Sequence, residues 1–222
     1  MASFRILLAD DHEVVRKGLR ALLEEQSGWE VVAEATDGRE AVEKATKLKP
    51  DVVVIDIAMP SLNGLEAVRQ IVRAVPQAKI LVLTMYDSDP LIQQVLRAGA
   101  RGYLLKSDAG RDLVSAIDAL RRNKTFFTPK VSQMVLEGYL DKSSLNAESS
   151  ADSSDDSLRL TSRQREIVQL LAEGKSSKEV AAVLGLSVKT AETHRANIMK
   201  KLDCHSVTEL VRFAIRNHII AA

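Results

Sequence analysis

Three carboxylates, a hydroxyl and an ammonium stand at the ends of apolar runs in the first half of the chain. Asp10 and Asp11 directly follow Phe4 to Ala9, Asp56 closes Val52-Val53-Val54-Ile55, Thr84 closes the run that starts at Lys79, and Lys106 follows Gly102 to Leu105. A single aspartate at a strand end is commonly a helix N-cap. Five polar groups gathered on one sheet edge call for chemistry. Carboxylates crowded into a small pocket repel one another, and a hard divalent cation with oxygen ligands relieves the repulsion. Mg²⁺ fits, because it accepts one or two carboxylates, a backbone carbonyl and several waters. With the cation and Lys106 beside it, an ionised Asp56 is a nucleophile for phosphorus, and the transferring oxygens meet Mg²⁺, the ammonium and the Thr84 hydroxyl. The chemistry is phosphoryl transfer to give an aspartyl phosphate.

Such a pocket needs strands that end side by side. Four uninterrupted β-branched residues, Val52 to Ile55, read as a strand covered on both faces, as in the centre of a parallel sheet. The first 125 or so residues alternate β-rich runs with helical patterns, which predicts βα units. Strands are predicted over Phe4 to Ala9, Glu30 to Ala35, Val52 to Asp56, Lys79 to Thr84 and Gly102 to Leu105. Helices are predicted over Glu13 to Gln26, Asp37 to Lys47, Gly64 to Ala74, Asp89 to Ala98 and Ala109 to Asn123, with one more short helix within Thr125 to Leu140. In open sheets of this kind the functional crevice lies outside the carboxyl ends of the strands.

Asp10-Asp11, Asp56 with Met59-Pro60 and Gly64, Thr84, Tyr103 and Lys106 resemble, in order and spacing, the receiver domain of two-component response regulators. The resemblance implies an α/β, flavodoxin-like receiver whose parallel five-stranded sheet has the order 2-1-3-4-5. It further implies phosphorylation of Asp56 by a cognate histidine kinase. Mg²⁺ would be held by Asp11, Asp56 and the Ala58 carbonyl, with Asp10 assisting. Thr84 and Tyr103 would be the switch pair, Thr84 turning toward the phosphoryl group and Tyr103 rotating inward behind it. The family commonly places Pro after the lysine, often with a cis bond, where this chain has Ser107. A cis bond without proline costs about 3 kcal/mol, so a trans loop is expected here. His12, beside the acidic pair, is not expected to bind magnesium, which prefers oxygen.

The second half of the chain has different needs. Residues 141–157 are Ser-rich and acidic with almost nothing to bury, and read as a flexible linker. Lys and Arg number 19 against 19 Asp and Glu over residues 1–140, 1 against 5 over 141–157, and 11 against 6 over 158–222. A basic terminal module after an acidic spacer points to a polyanion. From Leu158 to Asn217 about four helices are expected, with Thr161 and Ser187 as N-caps and Gly174 and Gly185 as punctuation. Val180 to Ser187 has the spacing of a helix-turn-helix. On the helix that follows, Ala191, Ile198 and Leu202 form the inward stripe, with His194 or Arg195 between them. Lys189, Glu192, Thr193, Ala196 and Lys200 are left facing out. Cations at both ends and hydrogen-bonding residues between them suit a DNA major groove.

Leu160-Thr161, Arg163, Glu166, Leu170-Leu171, Gly174, Ser176, Lys178-Glu179, Ala181, Leu184, Ser187, Thr190, His194, Ile198 and Lys201-Leu202 resemble the LuxR-type (NarL/FixJ) DNA-binding domain. The resemblance implies that Lys178, Lys189, Thr190, Glu192, Thr193, Arg195, Ala196 and Lys200 face an operator. It also implies a dimerisation helix over Ser206 to Asn217 with Val207, Leu210, Val211 and Ala214 as its apolar face. Many relatives have a lysine where this chain has Glu192, which can accept from a cytosine amino group but cannot repeat a lysine's guanine contact.

The 222 residues thus divide into a receiver (1–125), a short helix and acidic linker (126–157) and an all-α helix-turn-helix domain (158–222). A hydrophobic share of 45% with 27% charge and a net charge of +1 is ordinary for a globular protein, and no run approaches the roughly 18 apolar residues of a membrane span. The N-terminus has no signal-peptide pattern, so a cytoplasmic location without membrane contact is expected. Cys204 is alone, which rules out an intrachain disulfide. The expected function is a phosphorylation-controlled transcription factor, homodimeric on phosphorylation or DNA binding. A phosphatase with an aspartyl nucleophile would want a second carboxylate where Ala58 stands. The remaining alternative is a DNA-binding regulator controlled by a protein partner without phosphorylation.

Overall fold

The computed structural model describes residues 3–129, 131–133 and 160–220. They belong to two compact units. In the first, β1 (Phe4–Ala9), β2 (Trp29–Ala35), β3 (Val52–Asp56), β4 (Lys79–Thr84) and β5 (Gly102–Leu105) form one parallel sheet in the order β2-β1-β3-β4-β5. The helices between and after them are α1 (Glu13–Glu24), α2 (Gly38–Leu48), α3 (Gly64–Ala74), α4 (Asp89–Arg97) and α5 (Ala109–Arg121). The sheet order is the predicted one, and four of the five strands have the predicted bounds. Trp29 adds a residue to the start of β2, where its ring meets Phe4 at 6.1 Å between centroids. Gly64–Ala74 has the predicted bounds, and the other helices end one or two residues from where the patterns placed them, as fraying ends do. At α2, Asp37 is the cap itself: its carboxylate accepts from the Arg39 and Glu40 amides at 2.8 and 2.9 Å.

Every residue of β3 is buried. Val52 and Val54 pack with Leu19 and Leu23 of α1 and Leu113, Ile117 and Leu120 of α5 in one core layer. Val53 and Ile55 point to the opposite face by the two-residue alternation of a strand, and are equally buried. That double coverage is why the run has no polar alternation. Beyond α5 the backbone returns along β5, where Tyr103 N–H donates to the Phe126 carbonyl at 3.0 Å and Phe126 N–H to that of Arg101 at 3.1 Å, covering part of the sheet edge. Pro129 and Val131–Gln133 are helical; the remainder of the predicted short helix and the linker lie outside the described residues.

The second unit consists of α6 (Ser162–Ala172), α7 (Ser177–Leu184), α8 (Val188–Lys201) and α9 (Val207–Arg216). Ile167, Leu170, Val180, Ala181, Ala191, Ile198, Leu210 and Ala214 share its core. Thr161 with Gln164 and Ser176 with Glu179 form reciprocal capping boxes, and Ser187 accepts from the Thr190 amide at 3.0 Å. Gly185 ends α7 at φ +63°, a left-handed position that glycine takes without a Cβ penalty. No helix of the described residues is long and apolar enough to cross a membrane.

Candidate functional site: an acidic pocket and a recognition helix

Strand register builds the acidic pocket. Ala9 pairs with Ile55, so the next residues, Asp10 and Asp56, end side by side at the point where the sheet order reverses. Asp56 pairs with Leu83 and Thr84 with Leu105, which brings Thr84 and then Lys106 to the same edge. Lys106 Nζ lies 2.8 Å from Asp56 Oδ2 and 2.7 Å from Asp10 Oδ2. The bond to Asp56 is a directed hydrogen bond. Asp10 Oδ2 sits outside hydrogen-bonding geometry and is buried with only this ion pair for company. Lys106 to Asp108 make a single 3₁₀ turn, and no cis peptide bond occurs among the described residues, in keeping with Ser107.

Asp56 is 3% exposed. Its Oδ1 accepts from the Ile57 amide at 2.7 Å. Burial raises the Asp56 carboxyl above the usual carboxylate range and the Asp10 charge adds to the rise, while Lys106 and the Ala58 amide pull against it. Burial works against the Lys106 ammonium, but Asp10 and Asp56 together outweigh it and hold its pKa above the ordinary lysine value. The pocket thus sets two carboxyl groups against one ammonium at close range.

Asp10, Asp11, His12 and Asp56 can each direct one ligand atom to positions within 4.8 Å of one another. Asp11 and His12 are exposed at the rim, with His12 Nδ1 2.8 Å from Asp11 Oδ1. The oxygen-rich set, the buried Asp10 oxygen without a directed hydrogen bond and the excess of carboxyl groups fit a hard divalent cation such as Mg²⁺. Beneath the pocket Gly64 opens α3 against the strand end: a Cβ there would stand 1.8 Å from the Asp56 carbonyl oxygen. The glycine is what lets the helix start so close to Asp56.

Thr84 and Tyr103 meet through one residue. The Thr84 hydroxyl accepts from the Tyr86 amide at 3.2 Å, and the Tyr103 hydroxyl donates to the Tyr86 carbonyl. Tyr103 is 1% exposed and already occupies the inward position; its burial, together with the charge of Asp87, pushes the phenol's pKa well up. One positioning residue of this unit escaped the sequence reading. Arg16 donates to the Asp10 carbonyl at 2.7 Å and pairs with Glu34 at 3.2 Å, pinning the end of β1 from α1. A cation at the fourth residue of the helix after the acidic pair was the available signal.

In the second unit, Lys178, Lys189, Thr190, Glu192, Thr193, Ala196 and Lys200 are all exposed. Arg195 and His194 are half-buried, so both, rather than one, flank the inward stripe. Asn197 is also exposed, one turn after Thr193, a position the i, i+4 spacing could have supplied. Arg163 was not read as structural support, yet its guanidinium pairs with Glu166 at 3.0 Å and donates to the Leu184 carbonyl at 2.8 Å. It thereby holds the end of α7 ahead of the glycine turn. Of the four residues expected on the dimerisation face, Leu210 and Ala214 are wholly buried in the unit's own core, whereas Val207 is 43% exposed and Val211 half-buried. The stripe at three-and-four spacing on α9 serves intramolecular packing first, because four short helices need every apolar face to close a core.

A doubly wound receiver with an acidic pocket at its switch point and a helix-turn-helix module on the same chain define a signal-responsive DNA-binding regulator. Residues 6–118 match the response regulator receiver domain, and residues 158–214 match the bacterial regulatory proteins of the luxR family. The chain belongs to the NarL/FixJ family of response regulators: it is a two-component, DNA-binding transcriptional regulator and not an enzyme. It is 40% identical to the oxygen regulatory protein NreC of Staphylococcus carnosus over 218 residues, covering 97% of this chain and 99% of that one. The same values hold for the transcriptional regulatory protein LiaR of Bacillus subtilis. Among solved structures it resembles the RcsB response regulator of Salmonella typhimurium, with a TM-score of 0.61 and 28% identity over 98% of this chain and 99% of that chain.

Proposed function

We propose that a cognate histidine kinase phosphorylates Asp56 and that this controls dimerisation and operator binding. The observation that carries the reading is the buried Asp56 carboxylate, hydrogen-bonded to Lys106 at 2.8 Å and abreast of Asp10. An oxygen of Asp56 attacks phosphorus of the kinase phosphohistidine; the P–O bond forms as the P–N bond breaks, and the histidine departs with the nitrogen electron pair. Asp10, Asp11, Asp56 and the Ala58 carbonyl would hold Mg²⁺, which when bound supplies positive charge to the transferring phosphoryl oxygens. Lys106 supplies a second positive charge from the carboxyl end of β5. Thr84 exchanges the Tyr86 amide for the phosphoryl group, and that exchange shifts the loop to which Tyr103 is bonded.

The proposed division is a receiver over 1–125, a helix and linker over 126–157 and the DNA-binding module over 158–222, acting in the cytoplasm. Lys178, Lys189, Arg195 and Lys200 contact phosphates, while Thr190, Glu192, Thr193 and Ala196 approach base edges. RcsB has been solved in complex with DNA, which supports the same use of this module here. Dimer contact would fall on Val207 and Val211, the members of the α9 set not already spent in the core, with half-buried Ile215 four residues on. Incubation with acetyl phosphate and Mg²⁺ should add one phosphoryl group to the wild type and none to Asp56→Asn, as read by intact mass and Phos-tag mobility. Equal labelling of both proteins would place the phosphoacceptor elsewhere.

A further inference from the structure

We infer that Glu192 is the residue through which this regulator selects a cytosine in its operator half-site. The inference rests on the proposed DNA-binding role of α8 and names what that helix reads. Along Val188–Lys201 the charged residues are Lys189, Glu192, Arg195, Lys200 and Lys201, so Glu192 is the one acid on a cationic helix. Two cations stand three residues away, Lys189 before it and Arg195 after it, within the usual reach of helical ion pairs. Glu192 is exposed and pairs with neither, nor with any other described residue. It is therefore not one half of a surface ion pair, and at the fifth position of the helix it caps nothing.

An unpaired carboxylate on a phosphate-facing surface carries an electrostatic cost, since it repels the backbone that the neighbouring cations attract. A base contact repays that cost. The N-terminal half of a recognition helix is the part that reaches base edges, and Glu192 lies there beside exposed Lys189, Thr193 and Ala196. An ionised carboxylate accepts hydrogen bonds and donates none. In the major groove the donors are the cytosine N4 and adenine N6 amino groups; adenine sets an N7 acceptor beside its donor, which repels a carboxylate, and glutamate accordingly favours cytosine.

The test is selection from a random duplex library by the full chain, treated identically as wild type, Glu192→Gln and Glu192→Ala, with beryllofluoride and without. Wild type should require cytosine at one position of each half-site with about 10- to 100-fold discrimination. Glu192→Gln should move the preference at that position toward adenine, because an amide both accepts from N6 and donates to N7. Glu192→Ala should lose the preference there while binding unrelated duplex at least as tightly as wild type. Identical base profiles in all three proteins, or a change confined to a position that is not cytosine in the wild-type site, would overturn the inference. A wild type that selects no sequence at all would overturn the DNA-reading role of α8 along with it. Dependence on beryllofluoride bears only on the phosphorylation reading, since the variants are compared under matched conditions.

Discussion

At the scale of single residues, Asp56 stands where burial disfavours its ionised form. Burial lifts the Asp56 carboxyl above its ordinary value even with Lys106 against it, so the folded chain binds a proton there more tightly than the unfolded chain does. By linkage, stability then falls as pH rises from the unfolded-state value through the higher folded value, and the cost of the ionised form is complete above that folded value. Asp56→Asn is expected to be more stable than wild type at pH 7 by about 0.5–2 kcal/mol, with the gap closing as acidity neutralises Asp56 in both states. Chemical denaturation across pH would check it. Added Mg²⁺ should narrow the same gap from the other side, raising the wild-type melting temperature more than that of Asp56→Asn. A variant less stable than wild type at pH 7 would show that the Lys106 bond outweighs burial.

At the scale of elements, the strands that deliver the pocket were legible because a strand buried on both faces leaves an unbroken apolar run, as Val52 to Ile55 does. The convergence of Asp10, Asp56 and Lys106 was legible for the same reason: each follows such a run at its carboxyl end. Arg16 and Arg163 were not, since a long side chain that reaches a carbonyl in another element leaves no mark on its own helical period. Leu210 and Ala214 were assigned to a dimer because an apolar stripe looks the same whether it meets its own core or a second copy. Gly64 carries the tightest element contact, so Gly64→Ala should cost about 3 kcal/mol or more through overpacking against the Asp56 backbone, and should slow phosphorylation together with stability. Ser187→Ala removes the cap of α8 and should cost about 1 kcal/mol, with a parallel loss of DNA affinity. Thermal unfolding and fluorescence anisotropy on one operator duplex would read both changes.

At the scale of the whole molecule, charge is partitioned as function requires: a balanced first 140 residues, an acidic 141–157 and a basic 158–222. The basic part supplies a salt-dependent attraction to any duplex, and the proposed control by phosphorylation would have to act above that background. In the proposed mechanism a phosphoryl group on Asp56 would add roughly −1.5 to −2 charge beside Lys106 and Thr84. The central claim is that modification of Asp56 changes assembly and operator affinity together. The most direct measurement is sedimentation equilibrium paired with operator titration, at fixed salt with Mg²⁺, for wild type and Asp56→Asn with and without beryllofluoride. The account predicts a shift to dimer and a gain in operator affinity for wild type alone. Unchanged mass and affinity in a wild type whose Asp56 is confirmed to be occupied would contradict it, and would point to control by a protein partner instead.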